Sequence, residues 1–302
     1  MLPFCLGMFC YAESMEYTDT HTHTWFSGHG KGTVEEVVQA ACDRGLTTIA
    51  LTEHLPLPAR LDPKGRYGMT QEQVALYVEE VLAARARHPQ IEVILGVEVD
   101  WREGAEAWLL ERLAQVPYEL VLGSVHMFAD VEPSSGISLN SFWPFDHPGY
   151  IDGWAERGEE NVWREYFRLW CDLVNSALPL TIMTHPDLPK RLGFKPKFDP
   201  REMYAAMAEL VAGKDLLIEV NTSGLHKPVA ELYPAPALLA AFCQAGVGCT
   251  VSSDAHEPGH VGRDLDAAYT AMRAAGYMQV TVPTRSGDRR HIPLDGISRQ
   301  VS

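Results

Sequence analysis

The sequence predicts an α/β fold made of βα units, and three observations support this. Short apolar segments rich in β-branched residues alternate along the chain with longer segments of helical periodicity. Seven such units follow one another, and successive units of this kind form a mostly parallel sheet. The length of 302 residues, 46% of them hydrophobic, suits one α/β barrel with a sizeable core.

The predicted strands are short and the predicted helices lie between them. The strands are residues 16–20, 47–51, 91–97, 120–125, 180–184, 216–221 and 248–252. The helices are residues 33–44, 71–86, 105–114, 159–177, 200–212, 235–245 and 264–275. Thr33 with Glu36 three residues later is a capping-box pattern at the start of the first helix. Trp163 and Trp170 in the fourth helix indicate core packing, and residues 277–293 predict a hairpin around Ser286-Gly287-Asp288.

Two long connections follow predicted strand ends. They are residues 127–157 and residues 186–199. Long loops in compact domains are usually functional or disordered, and barrel enzymes place their active sites at the C-terminal ends of the strands. Both connections are therefore expected to border the active site.

The first residues read as an extension of a single domain. Residues 1–12 are apolar, lack the positive start of a signal peptide and are too short to span a membrane. Met15 stands just before the first predicted strand. We expect an N-terminal extension over residues 1–14 and one barrel domain over residues 15–302.

Charge and cysteine content narrow the classes of function. The formal net charge is −15 and no basic stripe is visible, which disfavours a nucleic-acid partner. The six cysteines form no C-x-x-C pair, so a zinc ribbon or a thioredoxin motif is not expected. Reduced thiols in a cytoplasmic protein, with no membrane partner, are the expectation. The oligomeric state is left open.

Histidines and carboxylates follow most of the predicted strands. They are His21, His23, His29, His54, Glu98, His126, His185, Asp254 and His256. In H-T-H, the alternation by two places both imidazoles on one face of an extended segment. Burying so many unpaired polar groups at one barrel end without a purpose would be costly. Imidazoles with carboxylates suit zinc, iron or manganese, so the sequence predicts a metal site at the strand ends.

The motifs D-T-H-T-H, T-E-H, G-V-E, S-V-H, T-H-P and S-D-A-H, from Asp19 to His256, together resemble the PHP (polymerase and histidinol phosphatase) superfamily. The segments W-P-F-D at 143–146, E-V-N-T-S-G-L at 219–225 and residues 187–191 resemble its histidinol-phosphatase branch. The resemblance implies a distorted (β/α)7 TIM-like barrel with a trinuclear metal site at the C-terminal ends of the strands.

The resemblance also implies three divalent metal ions (zinc, iron or manganese), each with its own ligands. The sets are His21, His23, Glu98 and Asp254 for the first metal, Glu98, His126 and His185 for the second, and His29, His54 and His256 for the third. Asp19 is expected to act in catalysis by orienting a ligand histidine, which is a usual role for a carboxylate beside a metal site.

The activity implied by the resemblance is metal-dependent hydrolysis of L-histidinol phosphate to L-histidinol and phosphate, a step of histidine biosynthesis. Arg191 and Arg263 are the expected catalytic cations that grip the phosphate, because arginine binds phosphate bidentately. His226 and Lys227 stand where the family often has an arginine and are expected at the substrate. Trp143 is expected to cover the substrate.

Two other readings of the function remain open at this point. One is a PHP phosphoesterase that acts on nucleotides or other small phosphoesters. The other is an inactive metal-binding domain, although the complete ligand set disfavours it. A metal-dependent amidohydrolase is disfavoured because no lysine stands at a predicted strand end.

Overall fold

A computed structural model describes residues 16–58, 62, 65–132 and 136–296. The extension predicted for residues 1–14 lies outside the described residues. In chain order the strands are β1 (Tyr17–Thr22), β2 (Leu46–Leu51), β3 (Glu92–Asp100), β4 (Leu120–Ser124), β5 (Phe128–Glu132), β6 (Gly136–Trp143), β7 (Ile182–Met183), β8 (Leu217–Asn221), β9 (Gly248–Ser252), β10 (Gln279–Pro283) and β11 (Arg289–Pro293). The helices are α1 (Val34–Asp43), α2 (Val74–Arg87), α3 (Glu106–Leu113), α4 (Asp152–Arg157), α5 (Glu159–Asn175), α6 (Arg201–Ala212), α7 (Pro236–Gln244) and α8 (Leu265–Ala275).

Seven parallel strands form a nearly closed barrel, in the order β1-β2-β3-β4-β7-β8-β9. The two outer strands of this order approach each other. The backbone N–H of His23 donates to the carbonyl of Ala255 over 2.8 Å, and the Thr20 hydroxyl donates to the carbonyl of Val251 over 3.0 Å. The predicted (β/α)7 barrel is confirmed.

The helices cover the outside of the barrel with their apolar faces. The capping box of α1 is present: Thr33 Oγ1 accepts from the backbone N–H of Glu36, whose carboxylate accepts from the N–H of Thr33. Trp163 and Trp170 on α5 are fully buried, as the sequence predicted. Among the described residues, no helix has both the length and the apolar character needed to cross a membrane.

The C-terminal hairpin lies at the end of the barrel away from the strand C-termini. β10 and β11 pair antiparallel, and the N–H of Thr284 donates to the carbonyl of Asp288 across the predicted turn. Arg290 on β11 donates to Thr48 Oγ1 near the start of β2 over 2.6 Å. The hairpin therefore covers the N-terminal end of the strands and leaves the opposite end for the site.

The structure departs from the sequence prediction in three places. β7 has two residues instead of five, because Pro179 and Pro186 flank it and His185 already has a positive φ of 22°. The connection 127–157 is not a plain loop but contains the β5–β6 hairpin and α4. The connection 186–199 contains a 3₁₀ helix, Leu188–Leu192.

Candidate metal centre

The site begins with two histidines, one on β1 and one directly after the end of this strand. His21 and His23 both point into the barrel mouth and are fully buried. Their Nε2 atoms lie 3.0 Å apart, as the alternation of an extended strand predicts.

Glu98 on β3 stands at the centre of the cluster and is 1% exposed. Its Oε2 lies 3.2 Å from His21 Nε2 and 3.1 Å from His54 Nδ1. Its Oε1 lies 3.3 Å from His185 Nε2 and 3.6 Å from His126 Nε2. Within the described part of the chain, neither oxygen makes an aligned hydrogen bond. Buried carboxylate oxygens crowded by imidazole nitrogens without hydrogen bonds are what a shared cation would require.

Asp254 and His256 complete the mouth from the end of β9. Asp254 Oδ1 lies 3.6 Å from His23 Nε2 and 3.8 Å from His21 Nε2. His256 Nε2 lies 3.0 Å from His29 Nε2. The structure thus brings all nine predicted ligand residues to one end of the barrel.

Among the described residues, four groups of three place their ligand atoms within 4.8 Å of one another. They are His21–Glu98–His185, His21–His23–Asp254, His23–His54–His256 and His54–Asp100–His126. Three of these groups consist of predicted ligands alone, and the donor set of imidazoles and carboxylates fits zinc, iron or manganese.

Asp100 is the residue of these groups that the sequence analysis missed. It is buried, its Oδ1 contacts His126 Nδ1, and its Oδ2 lies 3.3 Å from His54 Nδ1. The signal was present, because Glu98 and Asp100 in E-V-D share one face of β3 as the histidines of H-T-H share one face of β1. Asp100 was overlooked because only one ligand was assigned to β3.

Glu219 on β8 is a second buried carboxylate that the sequence analysis gave no role. Its Oε2 lies 3.1 Å from His21 Nδ1. The carboxylate also accepts hydrogen bonds from Ser252 Oγ over 2.8 Å and from the N–H of His185 over 3.0 Å. It fixes the His21 ring so that Nε2 faces Glu98, which is how a carboxylate orients a metal-ligating histidine.

The role expected of Asp19 is corrected by these contacts. Its carboxylate accepts from the backbone N–H of Ser253 over 2.9 Å, from the Ser253 hydroxyl, and from the N–H of Gly262 over 2.8 Å. The contact with His21 is to its backbone N–H at 3.5 Å, not to the imidazole. Asp19 ties β1 to the segment after β9, and Glu219 takes the orienting role.

Burial and neighbouring charges shift the pKa values of the histidines in opposite directions. Burial lowers the pKa of His23 to about 3 and holds that of His256 well below its usual value. Burial also lowers that of His126, but Asp100 and Glu98 outweigh it and raise the pKa to about 10. Burial opposes ionisation of Glu98, yet the surrounding histidines hold its pKa well below the usual range. Glu98 is therefore ionised, and a carboxylate among imidazole nitrogens is a donor set that suits a divalent cation.

The predicted substrate cations lie beside the cluster. Arg191 Nη1 pairs with Asp146 Oδ2 at 2.9 Å. Burial lowers the pKa of Lys227, and the nearby charge of Arg191 lowers it further. The charges of Asp254 and Asp146 raise it again, and that of Arg263 lowers it.

Two of the residues expected to contact the substrate make contacts with other side chains of the protein. His226 Nε2 lies 2.6 Å from Asp264 Oδ2, and its side chain is 41% exposed. Trp143 is 5% exposed, donates from Nε1 to the carbonyl of Tyr150 over 3.0 Å, and packs against Phe145 and Trp154. This buried position favours a packing role for Trp143, and the expectation that it covers the substrate stays a prediction.

A histidine–carboxylate centre at the mouth of a seven-stranded parallel barrel defines a metal-binding barrel protein. The PHP domain model matches residues 19–223, and the chain belongs to the PHP domain family. It is 36% identical to "Probable histidinol-phosphatase" of Deinococcus radiodurans over 265 residues, which is 87% of this chain and 95% of the relative.

Two further comparisons agree with the family and the fold. The chain is 27% identical to histidinol-phosphatase of Bacillus subtilis over 277 residues, covering 84% of this chain and 98% of the relative. The crystal structure of histidinol phosphate phosphatase from Lactococcus lactis, complexed with zinc, L-histidinol and phosphate, matches with a TM-score of 0.72 at 22% identity. That match covers 90% of this chain and 98% of the other.

Proposed function

We propose that the protein is a metal-dependent histidinol-phosphatase, hydrolysing L-histidinol phosphate to L-histidinol and phosphate. The observation that carries the proposal is the buried Glu98 cluster of imidazoles and carboxylates with Arg191 and Lys227 beside it. The relatives that share most of its length carry the name histidinol-phosphatase.

Three divalent ions are the proposed cofactors, and zinc is the first ion to test because the Lactococcus structure contains it. The proposed ligands are His21, His23, His29, His54, Glu98, His126, His185, Asp254 and His256. Asp100 joins them either as a ligand or as the carboxylate that holds His126. When bound, such ions lower the pKa of a water to near neutrality and stabilise charge on the phosphoryl group.

The chain's own residues supply position and charge. Glu219 fixes the His21 ring, and Asp19 fixes the segment that carries Asp254. Arg191 is held by Asp146 at the mouth, where its guanidinium is proposed to bind two phosphate oxygens. Lys227 and Arg263 add positive charge at the same place.

The substrate assignment is tested with a panel of phosphomonoesters. Phosphate release from L-histidinol phosphate is compared with release from nucleoside monophosphates and p-nitrophenyl phosphate, with and without prior treatment with a chelator. The proposal expects chelator-sensitive turnover that is fastest on L-histidinol phosphate. Faster release from nucleotides would show that a nucleotide, not L-histidinol phosphate, is the substrate. Metal binding without phosphate release from any ester would indicate a domain that only binds metal.

The phosphate cation is tested by Arg191→Ala. Loss of the guanidinium is expected to lower kcat/KM about 100-fold, because it removes a donor aimed at the phosphoryl charge. Arg201→Ala, at an exposed arginine on α6 whose partner is Asp199, is the control and should leave kcat/KM unchanged. An unaltered kcat/KM in Arg191→Ala would show that Arg191 does not bind the phosphate.

A further inference from the structure

Tyr233 carries a buried hydroxyl that the proposed mechanism does not use. The residue lies in the segment after β8 and is 1% exposed. Its hydroxyl has no hydrogen-bond partner among the residues that the structure describes. Buried tyrosine hydroxyls usually find a partner, so an unpaired one at a binding site points to a ligand.

The surrounding chain holds this ring at the mouth of the barrel. The backbones of Tyr233 and Asn221, at the end of β8, exchange hydrogen bonds of 2.7 and 3.0 Å. The ring stands edge-on to His185, with centroids 6.3 Å apart, and the Lys190 ammonium lies 5.4 Å from the ring centroid. A Cβ at Gly224 would come within 2.9 Å of the ring, so the glycine makes room for it.

The charges that act on the hydroxyl are those of the substrate end of the site. Burial raises the pKa of the hydroxyl. Among the charged side chains Arg191 has the strongest effect and lowers this pKa, whereas Asp187, Asp254 and Asp146 raise it. These charged side chains come from the segments that follow β6, β7 and β9. A phosphoryl group bound at the metal centre, next to His185, is therefore expected to lie near this ring.

We infer that Tyr233 is a substrate-contacting residue whose hydroxyl donates a hydrogen bond to a phosphoryl oxygen of the ester. The inference rests on the proposed function for the nature of the bound group. No bond to hydrogen is broken in this contact, since the phenol keeps its proton. The neutral donor adds to the charge of Arg191 without adding a charge of its own.

Stability separates this role from simple packing. Removing a hydroxyl that is buried and unpaired should not destabilise the fold, because no hydrogen bond is lost and a desolvated polar group disappears. Removing a substrate contact should weaken phosphate binding. A tyrosine kept for function therefore loses activity but no stability when it becomes phenylalanine.

The test compares Tyr233→Phe with Tyr277→Phe. Tyr277 also has a buried hydroxyl without a hydrogen-bond partner among the described residues, but it stands just before β10 of the hairpin at the opposite end of the barrel. The metal-loaded proteins are titrated with inorganic phosphate, and the melting temperature, metal content and phosphate dissociation constant are measured. Turnover of L-histidinol phosphate is recorded alongside them.

Tyr233→Phe is expected to weaken phosphate binding and lower kcat/KM about tenfold or more, with unchanged metal content and an equal or higher Tm. Tyr277→Phe should change neither binding nor turnover. Unchanged phosphate binding in Tyr233→Phe, or a loss of Tm or metal that accounts for the weakening, would overturn the inference. Phosphate binding does not depend on the ester, so a wild type that binds phosphate but ignores L-histidinol phosphate would contradict only the proposed function.

Discussion

At the scale of single residues, two buried carboxylates determine how the histidines face the metal centre. Glu219 contacts His21 on the side opposite Glu98, and Asp100 does the same for His126. Carboxylates in such positions fix the ring and raise the basicity of the ligating nitrogen.

Glu219→Gln tests this role. The amide keeps the shape of the side chain but removes the charge beside His21, and metal affinity is expected to fall about 10- to 100-fold. Competition with a chromophoric chelator measures the affinity. Glu79→Gln, at an exposed position on α2, is the control. Equal affinities in the two variants would show that Glu219 does not support the ligand.

Trp143 tests the distinction between a packing residue and a cover for the substrate. Trp143→Ala is expected to lower the free energy of unfolding by about 3–5 kcal/mol, because the indole fills a buried site against Phe145 and Trp154. Denaturant titration gives the value, and Met278→Ala, at a 79% exposed side chain, should change it little. A variant that keeps its stability but has a raised KM would instead indicate that Trp143 covers the substrate.

At the scale of elements, the loop after β1 delivers His29 to the third proposed metal. Gly28 in this loop has a φ of 79°, and a Cβ there would come within 1.9 Å of the carbonyl oxygen of Gly65. His29 Nδ1 contacts the neighbouring carbonyl of Arg66 at 3.2 Å. The glycine thus lets two loops approach closely enough to aim the imidazole.

Gly28→Ala should therefore reduce the metal content from three ions to two by displacing His29. The matched control is Gly104→Ala, which has a similar φ of 77° but no atom within 4 Å of the new Cβ. Both variants carry the cost of a positive φ, so only the clash differs. Elemental analysis after dialysis measures the content; three ions retained in Gly28→Ala would refute the prediction.

The elements also show what the sequence could predict. The strands that carry His21, His23 and Asp254 were predictable, because period-two patterns and apolar runs define them locally. β7 was overestimated since flanking prolines shorten it, and the β5–β6 hairpin was read as a loop. The contacts of Asp19 with Ser253 and Gly262 could not be predicted, because they join segments that are distant in sequence.

At the scale of the whole molecule, the barrel closes where β1 meets the segment after β9. Asp19 contributes to this closure through Ser253 and Gly262, and the same segment carries Asp254. The same hydrogen bonds therefore serve both the closure of the barrel and the position of Asp254.

Asp19→Asn should weaken both at once. An amide cannot accept all the hydrogen bonds that the carboxylate accepts, and the free energy of unfolding is expected to fall by about 1–3 kcal/mol. The metal-free protein is compared with and without the substitution by denaturant titration. Asp43→Asn, on the exposed side of α1, is the control and should be nearly neutral. If the free energy of unfolding falls no further in Asp19→Asn than in the control, Asp19 does not stabilise the closure of the barrel.

Reconstitution with zinc shows whether this barrel is a metal-dependent histidinol-phosphatase. Chelator-treated protein receives zinc in measured equivalents, and phosphate release from L-histidinol phosphate is followed at each step. We expect no release without metal and a rate that rises until about three ions are bound per chain. Full activity in the metal-free protein, or full metal occupancy with no release, would contradict it.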